Sequence, residues 1–318
     1  MKSSNIGGQA VLEGIMMKSG DRYAVAVRKP NQEIEVSVQE YKSIVPKVIR
    51  KIPFIRGIFN FVDSLILGMR TLMFSAEFFE EEEEKEEERQ RTQEEIAKAE
   101  KREKRMMNLI MAFSVLLAIA IFMVLPYFLS GFLKKAVHSR GVLTVLEGLI
   151  RVLLFLGYLL LVSRMEDIQR TFMYHGAEHK CINCIEHGLE LNVENVRKSS
   201  RQHKRCGTSF LFFVMIVSIM FCFFITAESQ VMRVLLRIAL MPLIAGVSYE
   251  IIRLAGNSDN PLVNLLSRPG LWVQNMTTKE PDDGMIQVAI CAVEAVFDWK
   301  EYLRENFAAS YDVQGERA

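Results

Sequence analysis

Residues 106–133 read MMNLIMAFSVLLAIAIFMVLPYFLSGFL and carry no charged side chain. The hydrocarbon core of a bilayer takes about 20 apolar residues of helix. An uncharged run of this length is foreign to an ordinary soluble core. Working outward, 141–163, 208–227 and 231–255 are also long enough to span. The sequence therefore predicts an α-helical integral membrane protein with about four transmembrane helices. Hydrophobic residues make up 50 % of the 318 and concentrate in these runs, and the formal charge of +1 points to no nucleic-acid partner. The polar start MKSSNIGGQA lacks the apolar run of a secretory signal.

Lysine and arginine placement orients the chain. KREKR (101–105) directly precedes the first span, and the 164–207 loop is rich in arginine and lysine; the opposite loops, 134–140 and 227–230, are short. The reading is a multi-pass protein of the cell membrane with both termini and the 164–207 loop in the cytoplasm. In that reducing compartment Cys181, Cys184 and Cys206 belong to no disulfide framework.

Between the membrane runs the chain changes character. Residues 1–49 form a β-rich segment, with YAVAV (23–27) and EIEVSV (33–38) as strands around a turn at Pro30 and Asn31. In 50–79, Arg56, Asn60, Asp63 and Arg70 make one narrow polar stripe on an otherwise apolar helix. Such a helix lies in the interface or re-enters the bundle, and the interfacial reading keeps the strands in the cytoplasm. Residues 80–105 are a charged linker, helical or a spacer. Residues 106–163 hold the first two spans, 164–207 the cytoplasmic loop and 208–255 the last two spans. Residues 256–306 join the N-terminal strands in a small α+β cytoplasmic domain, and 307–318 are a weakly ordered tail. NSDNP (257–261) and SRPG (267–270) read as turns, and MIQVAICAVEAV (285–296) as a strand or helix. Within the spans stand Glu147, Arg151, Arg233, Arg237 and Glu250; Glu147 and Arg151 are one helical turn apart, and Glu147 and Arg237 lie at similar depth. Buried charges of this kind form an ion-pair cluster or line a polar route.

The chemistry concentrates in YHGAEHKCINCIEHG (174–188), which holds three of the five histidines and two of the five cysteines. A helix continuing from the second span would reach about Glu186, with Gly188 ending it. At about 100° per residue, His179 falls within about 40° of His175 and Glu178 within about 60°, while Cys181 and Cys184 point elsewhere. Glu186 shares the histidine face but lies about 10 Å farther along the axis than His179. His175–x–x–Glu178–His179 has the order of a zinc motif in which two imidazoles bind the ion and the carboxylate acts on water. A third ligand must come from elsewhere. RQHKRCGTS (201–209) offers His203 and Cys206, and thiolate suits zinc. Cys181–x–x–Cys184 sits near a helix C-terminus, the wrong end to activate a redox thiol. GGQAVLEG (7–14) matches neither dinucleotide loop nor P-loop. The polar turn NMTTKEPDD (275–283) is a cap or a source of carboxylates for the same ion.

GGQAVLEGIMMK (7–18), YHGAEHKCI (174–182), RCGTSFL (205–211) and GLWVQNMTTKEPDDGMIQVAICAVEAV (270–296) together resemble the YqhQ-type family of bacterial membrane proteins. The resemblance covers nearly the whole chain outside the linker and tail. It implies a metal-dependent enzyme of no assigned reaction, with His175, Glu178, His179 and Cys206 as motif positions. Those relatives often carry a proline before the Arg–Cys pair, where this chain has Lys204. The leading expectation is a cytoplasm-facing zinc-dependent hydrolase, with His175, His179 and Cys206 on the metal and Glu178 as general base. The alternatives are a non-catalytic scaffold or assembly factor binding a cytoplasmic protein, and a small transporter using the buried charges.

Overall fold

The computed structural model describes residues 2–43, 46, 48–79, 93–225, 229–256, 258 and 260–315. The acidic first half of the predicted linker, 80–92, lies outside them, as do 316–318 of the tail. By length and composition, four helices among the described residues could cross a membrane: Ile55–Phe79, Arg105–Phe132, Gly141–Val162 and Val231–Gly256. The predicted 208–227 span is represented by the shorter helix Gly207–Phe223. The segment read as interfacial thus reaches membrane length, and one read as a span falls short of it.

The chain divides into two compact units, Met1–Phe78 with Leu159–Val214 and Pro242–Ala318, and Phe79–Tyr158 with Met215–Met241. The first contains an antiparallel sheet of β1 (Gly7–Val11), β2 (Gly14–Ser19), β3 (Arg22–Arg28) and β4 (Ile34–Glu40), in chain order. Val11 pairs with Gly14, so β1 and β2 turn through Leu12 and Glu13, with Glu13 at φ 47°. Gly14 is needed because a Cβ there would lie 2.3 Å from the Ala26 carbonyl oxygen. In β3 every residue from Tyr23 to Val27 is buried, as a continuous apolar run requires. Ile15, Met17 and Ala26 share one core with Ile182 and Ile185 of one helix and Val288 and Ala289 of another. The second of these helices is Asp283–Glu294, settling 285–296 as helical. Asp282 caps its start, accepting from the Met285 N–H at 2.8 Å.

α1 (Ile55–Ala76) is built inside out. Its buried residues include Asp63, Thr71 and Ser75, whereas Val62, Leu65, Ile66, Met69, Leu72 and Met73 are exposed. The stripe spends its polarity on its own unit: Arg56 Nε bonds Glu250 Oε1 at 2.7 Å, Asn60 bonds the Tyr249 hydroxyl at 2.8 Å, and Asp63 accepts from Tyr41 and Ser43. Ser75 Oγ accepts the Leu12 N–H at 3.1 Å.

Three sequence expectations are corrected. The helix of the second span does not run on to Glu186. It ends at Val162, Met165 is extended at ψ 132°, and a new helix begins at Glu166. Acidic Glu166 and Asp167 suit the positive end of that new helix. The sequence SRPG is not a turn: Pro269 lies inside the helix Pro261–Thr277, which Asn260 caps. The helix continues through the proline at the loss of one main-chain bond, with Ser267 and Gly270 buried on either side of it. The C-terminal helix Trp299–Gly315 also passes the expected tail boundary, with a non-helical residue at Phe307.

In the second unit the helix Gln93–Ile119 takes up the basic half of the linker and passes into a π-helical turn, Ala120–Val124. A π turn shifts the main-chain register, and the Phe122 carbonyl accepts from Arg151 Nε at 2.9 Å. Arg151 also donates to Ser218 Oγ at 2.7 Å and to Glu147 Oε1 at 3.1 Å. Arg237 reaches Glu147 through both Nη atoms, at 2.5 and 2.8 Å. All three charged groups are buried. The ion-pair reading describes Glu147, Arg151 and Arg237.

Candidate metal centre

α2 (Glu166–Glu186) is buried on every side over its second half. It brings His175, Glu178 and His179 under β1 and beside two stretches from distant parts of the chain. The first stretch follows the helix Pro261–Thr277. Lys279 N–H bonds the Phe172 carbonyl at 2.9 Å. A Cβ on Gly176 would stand 2.0 Å from the Lys279 oxygen. Glycine at 176 therefore lets that segment lie against the helix one residue past His175.

This approach fixes the imidazoles. His175 Nδ1 lies 2.9 Å from the Thr277 carbonyl oxygen, and His179 Nδ1 lies 2.6 Å from that of Arg201. A carbonyl only accepts, so each Nδ1 carries the proton, and Nε2 is the nitrogen left to each ring. Nδ1–H donation to a carbonyl is the usual outer support of a metal-binding histidine. Cys206 Sγ lies 3.4 Å from His175 Nε2, and the ring centroids of His175 and His179 are 4.4 Å apart. One ligand atom from each of His175, His179 and Cys206 lies within 4.8 Å of the others. Zn–N and Zn–S bonds are about 2.0–2.3 Å, so a small tightening closes the three on one ion.

Charge follows the same geometry. Burial raises the Cys206 thiol, but His175 and His179 beside it hold it well below its ordinary value. Burial lowers His175, yet Cys206 and Glu178 push it up to about 9. The pair favours thiolate and imidazolium, and thiolate is the metal-ligating form. Glu178 completes the arrangement. Its Oε1 accepts the Gly8 N–H at 3.1 Å, while Oε2 lies 3.9 Å from His175 Nε2. A Cβ on Gly8 would lie 2.8 Å from Glu178 Cγ. The glycine-rich GGQAVLEG is thus a tight hairpin that presents a main-chain donor to a buried carboxylate. Its Glu13 pairs through both oxygens with Arg170 of α2.

The other sequence candidates lie elsewhere. His203 stands near His179, but its Nε2 is 3.4 Å from Glu186 Oε2. Glu186 also accepts from Ser4 N–H at 2.7 Å and from Arg205. Burial would raise this carboxyl; His203, Arg205 and the Ser4 N–H hold it down, at about 2. Cys181 and Cys184 sit in the apolar core, where burial pushes both thiols up. The carboxylates of NMTTKEPDD are spent on other partners. Glu280 bonds Lys180 at 2.8 Å, Asp282 caps its helix, and Asp283 pairs with Arg197. The segment's contribution to the histidines is the Thr277 carbonyl.

Gln274 was not singled out by sequence reasoning. It accepts the His203 N–H at 2.9 Å and donates to the His203 carbonyl at 2.8 Å and to Ser209 Oγ at 2.7 Å. That clamp holds the loop that ends at Cys206. Lys204, at the position where the motif often has proline, donates to Asn264 Oδ1 at 2.7 Å. The one sequence signal for the carbonyl supports was Gly176, placed directly after a candidate ligand.

Comparison with known proteins agrees with the motifs. The chain is 34% identical over 316 residues to the uncharacterized protein YqhQ of Bacillus subtilis (strain 168), with 96% of each chain covered. No solved structure matches. Residues 52–299 match the model of a protein family of unknown function, DUF1385. With most of its length inside that match, the chain belongs to the DUF1385 family.

Proposed function

We propose that this protein is a membrane-embedded, cytoplasm-facing metal-binding enzyme, with zinc held by His175, His179 and Cys206 and hydrolysis as its reaction class. The observation that carries this reading is the fixing of both Nδ1 atoms on carbonyls while both Nε2 atoms converge with the Cys206 thiolate. A bound zinc would supply Lewis-acid polarisation. Glu178 is the general base: Gly8 anchors Oε1, and Oε2 is the atom that accepts a proton from water. The bundle of helices, the sheet and Gln274 keep these side chains from rotating away.

The membrane part of the reading has its own support. Four helices have the length and composition to cross. The sheet, α2 and the helix Asp283–Glu294 share one core, so they lie on one side of a bilayer. The chain must then cross an even number of times between β4 and α2. Three candidate helices fall in that interval, so one of them does not cross. α1 is the one with a buried Asp63, and it lies along the interface. The basic clusters at 101–105 and 164–207 support a cytoplasmic position for the shared core.

Elemental analysis of detergent-purified protein tests the metal. One zinc per chain is expected, lost in His175→Ala or His179→Ala and kept in Cys181→Ala with Cys184→Ala. Glu178→Gln should keep the metal and fail to complement a deletion strain. Full complementation by Glu178→Gln would replace the enzyme with a scaffold built around a structural ion.

A further inference from the structure

The helix Pro261–Thr277 turns its polar side inward and its apolar side outward. Apart from Val273, the residues it buries are small or polar: Ser267, Gly270, Gln274 and Thr277. Leu262, Leu265, Leu266 and Trp272 are 55–65% exposed. At about 100° per residue these four fall within about 120° of one another. A helix on a water-facing surface does the reverse and buries its apolar stripe, and a contiguous apolar patch marks an interaction surface. The inner side is already committed. Gln274 clamps the His203 main chain, the Thr277 carbonyl takes the His175 ring, and a Cβ on Gly270 would stand 3.0 Å from Ser209 Oγ. The helix is thereby held with its leucines outward.

Three observations select lipid as the occupant. The candidate span Val231–Gly256 ends five residues before Pro261, and Asn260 between them is extended at ψ 131°. The chain thus turns off the span, and the new helix starts where that span leaves the hydrocarbon. α1, in the same unit, has the same inverted pattern. The first turn of the helix Gly207–Phe223 touches both: Phe210 stacks on Phe61 of α1 at 5.2 Å, and Ser209 lies against Gly270. Two inverted helices therefore flank the start of one apolar helix. Finally, Trp272 closes the stripe and exposed Arg268 borders it. An indole belongs at headgroup level, and an arginine stem lies on apolar surface while its guanidinium reaches the headgroups. We propose that the helix Pro261–Thr277 lies in the membrane interface, with the face from Leu262 to Trp272 against lipid. The inference rests on the membrane reading above and is independent of the metal. It has a consequence for the site: Thr277, which holds His175, is about 7.5 Å along the axis from Trp272, so the candidate metal centre stands close under the lipid surface.

The chain has two tryptophans, Trp272 and Trp299, and they provide the test. The full-length protein is reconstituted in phosphatidylcholine vesicles with plain or brominated acyl chains, since bromine quenches tryptophan on contact. Brominated lipid should remove part of the wild-type emission. It should remove none from Trp272→Phe, whose remaining Trp299 is 5% exposed in the shared core. Bromine placed near the headgroup should quench Trp272 more than bromine near the chain end. Phe113→Trp added to Trp272→Phe reports on the span Arg105–Phe132, where Phe113 is exposed, and should restore the loss. Loss at 113 without loss at 272 would overturn this inference alone, and is the result expected if a second copy of the chain or another protein covers the helix. Stronger quenching of Trp272 from the chain end would also overturn it, because the helix would then lie within the hydrocarbon core. No loss at either position would overturn the membrane reading and this inference together. His175→Ala should be quenched like wild type, which separates failure of the metal reading from failure of this one.

Discussion

Two buried polar clusters invite comparison, each within its own unit. Around Glu147 the charges spend themselves on one another: two guanidinium groups hold one carboxylate, and Arg151 uses further donors on Ser218 and Phe122. Arg237 Nε has no hydrogen-bond partner among the described residues, but its guanidinium carbon lies 5.0 Å from the Tyr127 ring centroid. Around His175 the arrangement is the opposite. Main-chain carbonyls take up the Nδ1 atoms, while the two rings and the Cys206 sulfur face each other. The first cluster is closed by its own members and needs no ligand. The second is held from behind, and the atoms it leaves to face inward are ones that could hold a metal ion. Burial and polarity are common to both; what separates them is whether the polar side chains are spent on one another or held by main-chain atoms behind them.

Breaking the closed cluster should have the largest effect. Glu147→Ala leaves two buried guanidinium groups without their carboxylate and should destabilise the protein by about 3–5 kcal/mol. Thermal unfolding in detergent would show it. Replacing Glu147, Arg151 and Arg237 together by Leu and Met should recover most of the loss, since an apolar set of similar volume removes the uncompensated charge. An unchanged melting temperature in Glu147→Ala would remove the distinction drawn here.

At the open cluster the effect should depend on metal. With free zinc at 100 times its dissociation constant, the bound ion stabilises the fold by about 2.7 kcal/mol. Chelation should remove that increment from wild type and change nothing in His175→Ala. If the two proteins melt alike with and without zinc, the cluster holds no ion.

Gly176→Ala sharpens the account of the outer supports. Its Cβ would meet the Lys279 oxygen at 2.0 Å. Pushing that segment away should cost about 1–3 kcal/mol and withdraw the Thr277 carbonyl from His175. Zinc affinity, measured by competition with a chromophoric chelator, should fall although every ligand is still present. Undiminished affinity would show that the carbonyl does not orient the ring.

The smallest effect extends the comparison to the surface. Lys198 and Glu194 form an i, i+4 pair at 2.6 Å, with both side chains about 70% exposed. Water screens such a pair, and Lys198→Ala should leave both the melting temperature and zinc binding unchanged. A measurable loss would mean that this pair does more than geometry suggests.

Much of the arrangement was legible before any coordinates. Hydrophobic runs mark the long helices because the need to bury or shield apolar surface is local in the sequence. The i, i+4 spacing puts His175 and His179 on one face because helical geometry is local too. Gly188, at φ 79°, ends α2 where a glycine was expected to. Local rules misjudged 163–165, where a new helix starts in place of continuity, and Pro269, where the helix continues past a breaker.

Other features belonged to tertiary structure alone. Cys206 and His203 were both available as the third ligand, and chemistry favoured the thiol without deciding its place; the Gln274 clamp on the loop and the Glu186 carboxylate decide which of them faces the pair. The 285–296 run suited strand and helix equally until Asp282 capped it and the sheet supplied a surface for its apolar face. The carbonyls of Thr277 and Arg201 have no side-chain signature, and the first is 102 residues from the ring it holds. Periodicity and spacing tell which side chains share a face. Which main-chain atoms come to stand behind them depends on distant segments packing together, and that is settled only when the whole core closes.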